Sequence, residues 1–248
     1  MKKINAIIYG SKGKMGQALL ESLPRASSLE LLGAISSKDS IDPLMNKVDV
    51  IIDFTTPHAT MDLLSKCRKE QKALVIGTTG LSKDEEAIIC EASKEIPILF
   101  SPNYSIGVNT LFWLTQKAAE LLGSEYDAEI VEMHHRFKKD APSGTAKQLA
   151  KVIAEVRNLD YETEARHGRV GIFNERKPSE IGIHALRVGD AIGEHTVILG
   201  TLGERLELTY RASTRAAYAS GALRGAIWLS SKKSGLYDMQ HVLGIKTS

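Results

Sequence analysis

Cysteine is scarce in this sequence. Its 248 residues contain only two cysteines, Cys67 and Cys90, and their spacing is not that of a metal site. A sparse pair is also unlike the disulfide framework of small secreted domains. A metal-binding or disulfide-stabilised protein is therefore not indicated, and a reducing compartment such as the cytoplasm fits best.

Long apolar runs and an excess of one charge are also missing. No apolar stretch is long enough to span a bilayer, which argues against a membrane partner. The formal net charge of +2 is too balanced for a non-specific nucleic-acid binder. The first apolar run ends at Tyr9 without a signal-peptide cleavage site. We expect a cytoplasmic protein; a plastid stays open for a plant source, although no transit peptide is present.

In the first part of the chain, short apolar strand patterns alternate with helical patterns. This alternation is typical of a parallel sheet with helices on both faces. The predicted strands cover residues 4–10, 29–36, 48–56, 72–80 and 97–105. Polar loops follow the first, third, fourth and fifth of these strands, at the sheet edge where such folds bind ligands.

A glycine-rich loop follows the first predicted strand and opens a helix. Gly10 and Gly13 would let the backbone turn tightly and approach a pyrophosphate, and Gly16 would let the helix pack close to the strand. The helix N-terminus then offers N–H groups to the phosphates. This spacing also occurs in plain strand–helix turns, but its position after an N-terminal strand favours a Rossmann-like dinucleotide-binding domain.

The end of the second predicted strand bears on the choice of cofactor. NAD-binding proteins usually place an acidic residue there, on the ribose hydroxyls. Here the sequence reads Ile35-Ser36-Ser37-Lys38, with no carboxylate before Asp39. Lys12 and Lys14 lie in the glycine loop, and lysines with hydroxyls suit a 2′-phosphate. We predict NADPH or NADH as cofactor, with NADPH used at least as well as NADH; the alternative is that these lysines are only solvated charges.

The second part of the chain changes character after an amphipathic helix at 107–123. Strand patterns follow at 127–135, 181–189, 193–201 and 204–213, with a hairpin turn at Leu202-Gly203. We expect an α+β domain with an open mixed sheet, largely antiparallel. Because an uncovered apolar sheet face is a liability, this sheet is expected to pack against a partner subunit.

The stretch EIVEMHHRFKKDAPSGTA, residues 129–146, combines a strand, a cationic loop and a helix start. Alternate side chains of a strand share a face, so His134 and His135 diverge. Ser143 or Thr145 can cap the helix. The first helical N–H groups and a nearby lysine would attract an anion, while histidine suits general acid work.

Each of these features also has a plain structural explanation, as a surface histidine, a solvated lysine pair or a simple helix cap. Their coincidence within one short stretch favours a function. The histidines outside this stretch are interpreted as polar surface residues: His58, His167, His184, His195 and His241.

With this block the sequence resembles the 4-hydroxy-tetrahydrodipicolinate reductase family, whose older name is dihydrodipicolinate reductase. The resemblance spans nearly the whole chain, in family order, through GSKGKMG, DFT, GTTG, SPNYSIGVN, EMHHRFKKDAPSGTA, RVGDAIGEHTV and GLYDMQHVLG. It implies NAD(P)H-dependent reduction of 4-hydroxy-tetrahydrodipicolinate, a small cyclic dicarboxylate, in diaminopimelate and lysine biosynthesis. The histidine–lysine–PSGTA block is highly specific, whereas the glycine loop alone is not.

The resemblance also implies roles for individual residues. His134 matches the family's proton donor and Lys138 its partner in catalysis. His135, Lys138, Gly144 and Thr145 match the groups that hold the substrate carboxylates. No metal site is expected. With the residues argued above, the expected cofactor-binding set is Gly10, Gly13, Lys14, Met15, Gly16, Ser36, Lys38, Phe54, Gly77, Thr78, Thr79, Ser101, Asn103 and Tyr104.

The implied architecture is a Rossmann-like domain plus an α+β tetramerisation domain, assembled as a homotetramer. We predict a dinucleotide-binding domain over residues 1–104 and a substrate-binding and oligomerisation domain over 105–215. Residues 216–248 are predicted to return to the first domain. Closing of one domain on the other would bring the two ligands together.

Two other functions stay open at this level. The first part of the chain permits another Rossmann NAD(P)-dependent reductase of amino-acid metabolism, although the HHRFKKDAPSGTA block argues against it. A non-catalytic NAD(P)H-binding sensor would need the glycine loop but would have no need of His134 or Lys138.

Overall fold

A parallel sheet of six strands organises the first and last parts of the chain. The computed structural model of the protein describes residues 3–172 and 174–246. The strands of this sheet are β1 (Ile4–Tyr9), β2 (Leu29–Ile35), β3 (Val50–Asp53), β4 (Ala73–Ile76), β5 (Pro97–Phe100) and β11 (Gly235–Tyr237). Their spatial order is β11-β5-β4-β3-β1-β2, and every neighbouring pair is parallel. The predicted parallel sheet is confirmed.

Helices cover both faces of this sheet. They are α1 (Lys14–Ser22), α2 (Pro57–Lys69), α3 (Lys83–Ala92), α7 (Ala216–Leu229) and α8 (Met239–Val242). All four residues of β3, and all four of β4, are buried, as expected for strands covered on both faces. One apolar cluster contains Ile8 and Ile52, and the other contains Ile7 and Ile51, because successive strand residues point to opposite faces.

The C-terminal part of the chain completes this sheet and its cover. β11 pairs with β5, with Leu236 opposite Ile98. Gly221 of α7 lies so close to the carbonyl oxygen of Tyr104 that a Cβ there would be 1.8 Å from it. Residues 216–248 thus lie with the first unit, whereas the three residues of β11 are too few to show a strand pattern in the sequence.

A second, mixed sheet forms within the middle of the chain. Its strands are β6 (Asp127–His134), β7 (Ala165–His167), β8 (Ile181–Arg187), β9 (Gly193–Thr201) and β10 (Glu204–Ala212), in the order β10-β9-β6-β8-β7. Its helices are α4 (Ile106–Leu122), α5 (Gly144–Val156) and α6 (Tyr161–Glu164). The hairpin at Leu202-Gly203 joins β9 to β10 as predicted.

The predicted mixed sheet is confirmed, whereas the prediction that it would be largely antiparallel is wrong. β9 is antiparallel to both of its neighbours, whereas β8 is parallel to β6 and to β7. The reason is the connection between β6 and β8, which contains helix α5. A helical crossover returns the chain to the starting edge, so the second strand runs parallel to the first.

By contacts, the chain divides into two compact units, Met1–Ile106 with Arg215–Ser248, and Gly107–Thr214. No helix in the described ranges is both long and apolar enough to cross a membrane.

The alternation of β6 determines which of its side chains face the core of the second unit. Ala128, Ile130, Glu132 and His134 are all buried, and the first two pack in one cluster with residues of α5. The intervening residues of the strand are only half-buried. A carboxylate and an imidazole are therefore placed side by side on the covered face of the sheet.

Candidate active site

The loop between β1 and α1 requires glycine at two positions. Gly10 has φ +89°, and a Cβ there would lie 2.7 Å from the carbonyl oxygen of Phe54. A Cβ at Gly16 would lie 2.3 Å from the carbonyl oxygen of Gly10. Gly13 closes the turn by donating its N–H to that same oxygen, at 3.0 Å. A side chain at Gly10 would therefore collide with the loop after β3, and a side chain at Gly16 would collide with the glycine loop itself.

The start of α1 fits a bound phosphate. Its N-cap is Gly13, which provides no side-chain cap, whereas Ser82 and Ser143 cap α3 and α5 through their hydroxyls. The first N–H groups of a helix are left without intrahelical partners and attract anions. Lys14 is exposed as the first helical residue, and Met15 packs against the core. These residues fit the pyrophosphate of a dinucleotide.

A buried carboxylate ties together the loops after β3 and β4. Asp53 is fully buried and accepts hydrogen bonds from the hydroxyls of Thr55 and Thr60, both at 2.6 Å. Burial raises the pKa of Asp53, and these hydrogen bonds oppose that rise. Thr78 accepts the N–H of Thr55 at 3.1 Å and is itself buried, whereas Thr79 is exposed. The side chain of Thr78 therefore supports the loop from within.

Aromatic rings fill the space behind these loops. The ring of Phe54 lies against Gly77, where a Cβ would come within 2.1 Å of it. Phe54 contacts Tyr104 edge-on, with ring centroids 5.5 Å apart. The Tyr104 hydroxyl is buried, 2.7 Å from the carbonyl oxygen of Ile76 and 2.8 Å from that of Leu99. Tyr104 thus holds the ends of two strands together.

The loop after β5 is stabilised by its own side chains. The Ser101 hydroxyl donates to the carbonyl oxygen of Asn103 at 3.0 Å. The side-chain oxygen of Asn103 accepts the N–H of Ser105 at 2.8 Å. The loop is therefore held in one conformation at the same end of the sheet as the glycine loop.

The turn after β2 places a carboxylate against one of the predicted cofactor-binding hydroxyls. Ser36 donates its N–H and its hydroxyl to the Asp39 carboxylate, at 2.9 and 2.5 Å. These bonds, with a smaller contribution from Lys12, lower the pKa of Asp39. The chain turns back after Ser36, which brings the Asp39 carboxylate next to the Ser36 hydroxyl. Lys38 is exposed.

In the second unit, the buried Glu132 connects several predicted site residues. Its carboxylate accepts from Nδ1 of His134 at 2.5 Å and from the backbone N–H of Ser143 at 3.0 Å. Both Nη atoms of Arg187 also donate to it, each at 2.9 Å. Burial alone would raise the pKa of Glu132, but the hydrogen bonds from His134 and Arg187 lower it to about 2.

Arg187 links this carboxylate to the loop that carries Lys138. It donates to the carbonyl oxygens of Asp140, at 2.6 Å, and of Lys138, at 3.3 Å. The ammonium of Lys138 contacts the Asp140 carboxylate at 2.9 Å. Sequence reasoning missed Glu132 and Arg187. The sequence did carry one indication of Glu132: an acidic residue stands at a position of β6 where the alternation of side chains predicts burial.

His195 is a buried neighbour of His134 and not the surface residue that was predicted. It is 1% exposed, and its ring meets that of His134 edge-on at 5.2 Å. Its Nε2 lies 3.1 Å from the hydroxyl of Ser143. Burial, together with the charge of His134, lowers the pKa of His195 to about 4. The residue is therefore neutral at physiological pH.

The predicted substrate-binding residues lie next to this network. Gly144 and Thr145 are the first two residues of α5, directly after Ser143. Gly144 is exposed, with open space where a side chain would be. His135 is half-buried, and its Nδ1 has no hydrogen-bond partner within residues 3–172 and 174–246. The structure thus joins His134, the loop of Lys138 and the N-terminus of α5 through Glu132.

Both halves of the chain match models of one protein family. Residues 4–104 match dihydrodipicolinate reductase, N-terminus, and residues 107–243 match dihydrodipicolinate reductase, C-terminus. The chain belongs to the dihydrodipicolinate reductase family. Enzymes of this family are oxidoreductases of the lysine and diaminopimelate pathway and use a nicotinamide cofactor.

Individual members of the dihydrodipicolinate reductase family are similar over their full length. The 4-hydroxy-tetrahydrodipicolinate reductase of Akkermansia muciniphila is 46% identical, over 98% of both chains. That of Hahella chejuensis is 44% identical, over 96% of this chain and 98% of the other. The dipicolinate-bound dihydrodipicolinate reductase from Paenisporosarcina sp. TG-14 is 27% identical, with a TM-score of 0.76, over 95% of this chain and 97% of that structure.

The burial of His195 predicts a defined acid sensitivity. Its folded pKa of about 4 lies below the ordinary 6.5, so the unfolded chain binds more protons below pH 6.5. Its contribution to stability is complete above that pH and is lost as the pH falls towards 4. In H195Q, the loss of unfolding free energy between pH 7 and 4.5 should be smaller by about 2–3 kcal/mol.

Urea unfolding at the two pH values measures this difference. The control is H58Q, which removes an exposed histidine and should leave the acid sensitivity unchanged. Equal losses in wild type and H195Q would contradict the assignment of His195 as a buried neutral residue.

Proposed function

We propose that this protein catalyses the NAD(P)H-dependent reduction of 4-hydroxy-tetrahydrodipicolinate to tetrahydrodipicolinate. The substrate loses its 4-hydroxyl as water and takes up a hydride and a proton. The observation that carries this proposal is the His134–Glu132 pair, hydrogen-bonded to the start of α5, in a chain whose two halves both match the family. The names of the curated relatives support the same reaction.

The substrate is held by groups that attract carboxylates. Gly144 and Thr145 lie at the N-terminus of α5, where the helix dipole is positive, and Lys138 supplies a full charge. We assign His135 to the same function. Lys138 contacts the more exposed Asp140, and a substrate carboxylate would take over this contact. The dipicolinate bound to the similar solved reductase supports a cyclic dicarboxylate as ligand.

His134 is assigned as the general acid. When bound, the nicotinamide cofactor supplies the hydride that reduces the ring carbon C4. His134 then donates a proton to the ring nitrogen, which becomes an enamine nitrogen after hydride addition. Histidine suits this step because its proton is exchanged near neutral pH.

The cofactor is assigned to the loops at the carboxyl ends of the parallel strands. The uncapped start of α1 would hold the pyrophosphate, and the loops around Phe54, Gly77 and Ser101 would line the rest of the site. The full proposed set is Gly10, Gly13, Lys14, Met15, Gly16, Ser36, Lys38, Phe54, Gly77, Thr78, Thr79, Ser101, Asn103 and Tyr104. In this set, Thr78 and Tyr104 act by supporting the loops, since their side chains are buried.

The two other functions are not favoured. A different Rossmann reductase would share the first unit, but the family match continues through the second unit, to residue 243. A sensor without catalysis would have no use for a buried carboxylate paired with His134.

The assembly proposed is a homotetramer, in the cytoplasm. The second unit exposes large apolar side chains, which favours burial against other copies. Among them are Val170, Ile172, Leu186, Val188 and Leu202. Cys67 and Cys90 are both unpaired, which agrees with a reducing compartment.

Sedimentation velocity tests the assembly. We expect a species of four times the 27.1 kDa chain mass. V170D combined with I172D should shift it to smaller species, because two charges would enter the interface. The control is I88D on α3, an exposed apolar residue of the first unit, which should leave the tetramer intact; a monomeric wild type would contradict the proposal.

The assignment of His134 predicts a selective loss of turnover. H134Q should lower kcat by about 100-fold or more, because the general acid is removed, and leave NADPH affinity unchanged. The assay generates the unstable substrate in place from pyruvate and aspartate semialdehyde with the preceding synthase, and follows nicotinamide absorbance.

H184Q is the matched control, because His184 also pairs with a glutamate of β6 but does not contact His134. Near-normal turnover of H134Q would exclude its acid role. A wild type that binds NADPH but shows no synthase-dependent oxidation would overturn the reductase assignment and favour the sensor.

We propose that the protein uses both nucleotides and that NADPH serves at least as well as NADH. Lys12, Lys14 and Lys38 favour a 2′-phosphate, while Asp39 offers an acceptor to the ribose hydroxyls of NADH. D39N should therefore raise the ratio of NADPH to NADH affinity by about 10-fold, since the charge that repels a 2′-phosphate is lost and the acceptor for the ribose hydroxyls is weakened.

Dissociation constants from nucleotide fluorescence measure this ratio. D42N removes a nearby exposed carboxylate that pairs with Lys66 instead, and should leave the ratio unchanged. An unchanged ratio in D39N would show that Asp39 does not face the ribose.

A further inference from the structure

We propose that Glu132 is a positioning residue for the reaction, which holds the ring of His134 and determines the nitrogen from which it donates its proton. The proposal rests on the proposed function, because it assigns Glu132 a role in the step that His134 performs.

The position of Glu132 is unexpected for a core strand. The two preceding residues on its face of β6, Ala128 and Ile130, are apolar and fully buried. An aliphatic side chain at position 132 would continue that face without the cost of burying a charge. A carboxylate placed here, directly beside His134, contributes something other than packing.

The contacts of Glu132 leave its carboxylate little freedom to rotate. Oε1 accepts from the N–H of Ser143 and from Nη2 of Arg187, and Oε2 accepts from Nη1 of Arg187 and from His134. The ring of His195 also packs edge-on against that of His134, with centroids 5.2 Å apart. Both the carboxylate and the imidazole are therefore held in a single orientation.

This pairing determines the tautomer of His134. An ionised carboxylate is an acceptor only, so Nδ1 of His134 is the donor in their 2.5 Å contact. Nδ1 keeps its proton in both the charged and the neutral ring, which leaves Nε2 to give a proton to the substrate. The same carboxylate stabilises the imidazolium before transfer.

Charged and titratable groups come to this site from several elements. Glu132 contacts His134 directly, Arg187 of β8 donates to the same carboxylate, Lys138 lies in the following loop, and His195 of β9 is neutral. His135 provides a contrast within the same loop, because its Nδ1 has no partner in the described part of the chain. Loss of the charge on Glu132 would leave the guanidinium of Arg187 without its carboxylate partner beside the ring, whereas Lys138 keeps Asp140.

The test compares E132Q and E132D with wild type. E132Q keeps the shape but removes the charge and the fixed acceptor. Its kcat at pH 7.5 should fall by about 10- to 100-fold, with substrate KM and NADPH affinity changed less than about three-fold. The basic limb of its pH profile should move to lower pH by about one unit or more, because the imidazolium is less stable. E132D keeps the charge, so it should lower kcat with a smaller shift of that limb.

E129Q is the matched control. Glu129 lies on the same strand and also pairs with a histidine and with arginines, but on the opposite face. It should leave the pH profile unchanged. A purely structural role of Glu132 would instead lower thermal stability without moving the basic limb.

A double variant separates positioning from general damage. If Glu132 acts through His134, then E132Q in the H134Q background should lower kcat by less than about three-fold further. An equal loss in both backgrounds would overturn the proposal.

Imidazole nitrogen NMR of the protein without substrate tests the pairing independently of turnover. In wild type, Nδ1 of His134 should stay protonated across the titration while Nε2 titrates, and E132Q should lose this preference. A wild type with this signature but no reductase activity would defeat the proposed function alone. An active wild type without the signature would defeat the role of Glu132, even if E132Q does not fold.

Discussion

A carboxylate buried in a protein interior must be surrounded by donors, and this requirement at Glu132 organises the second unit. Its partners come from the end of β6, the N-terminus of α5 and the end of β8. Because Arg187 also binds two carbonyl oxygens of the loop that carries Lys138, one buried charge connects every element of the candidate substrate site. The histidine, the cationic loop and the helix start are held together before any ligand binds.

The first unit uses a comparable device for its loops. Asp53 is also a fully buried carboxylate, and it is surrounded by threonine hydroxyls from its own loop, from α2 and, more distantly, from the loop after β4. Here the partners are neutral, so burial raises the pKa of Asp53, whereas Arg187 and His134 lower that of Glu132. The first arrangement supports loops, and the second also supports a proton donor.

Much of the fold could be predicted from local patterns. The strands of the parallel sheet are short apolar runs, and the glycine loop shows its turn directly because Gly10 and Gly16 have no substitute. What local patterns did not show are contacts between residues distant in the chain and contacts made by turns. His195 looks like an isolated surface histidine until β9 pairs with β6, and Asp39 reaches Ser36 only after the chain turns back. Arg187 lies 55 residues from Glu132, so no local pattern could pair them.

The sequence by itself determined the alternation of strands and helices, the places where the backbone needs glycine, and the residues of the histidine–lysine–PSGTA block. These depend on short-range geometry: side-chain periodicity, the absence of a Cβ and the capping of a helix. Only the tertiary structure decided which charges meet. Coulombic and hydrogen-bond energies depend on distances between atoms and on burial, and both are set when β6, β8 and β9 pair and α5 covers them.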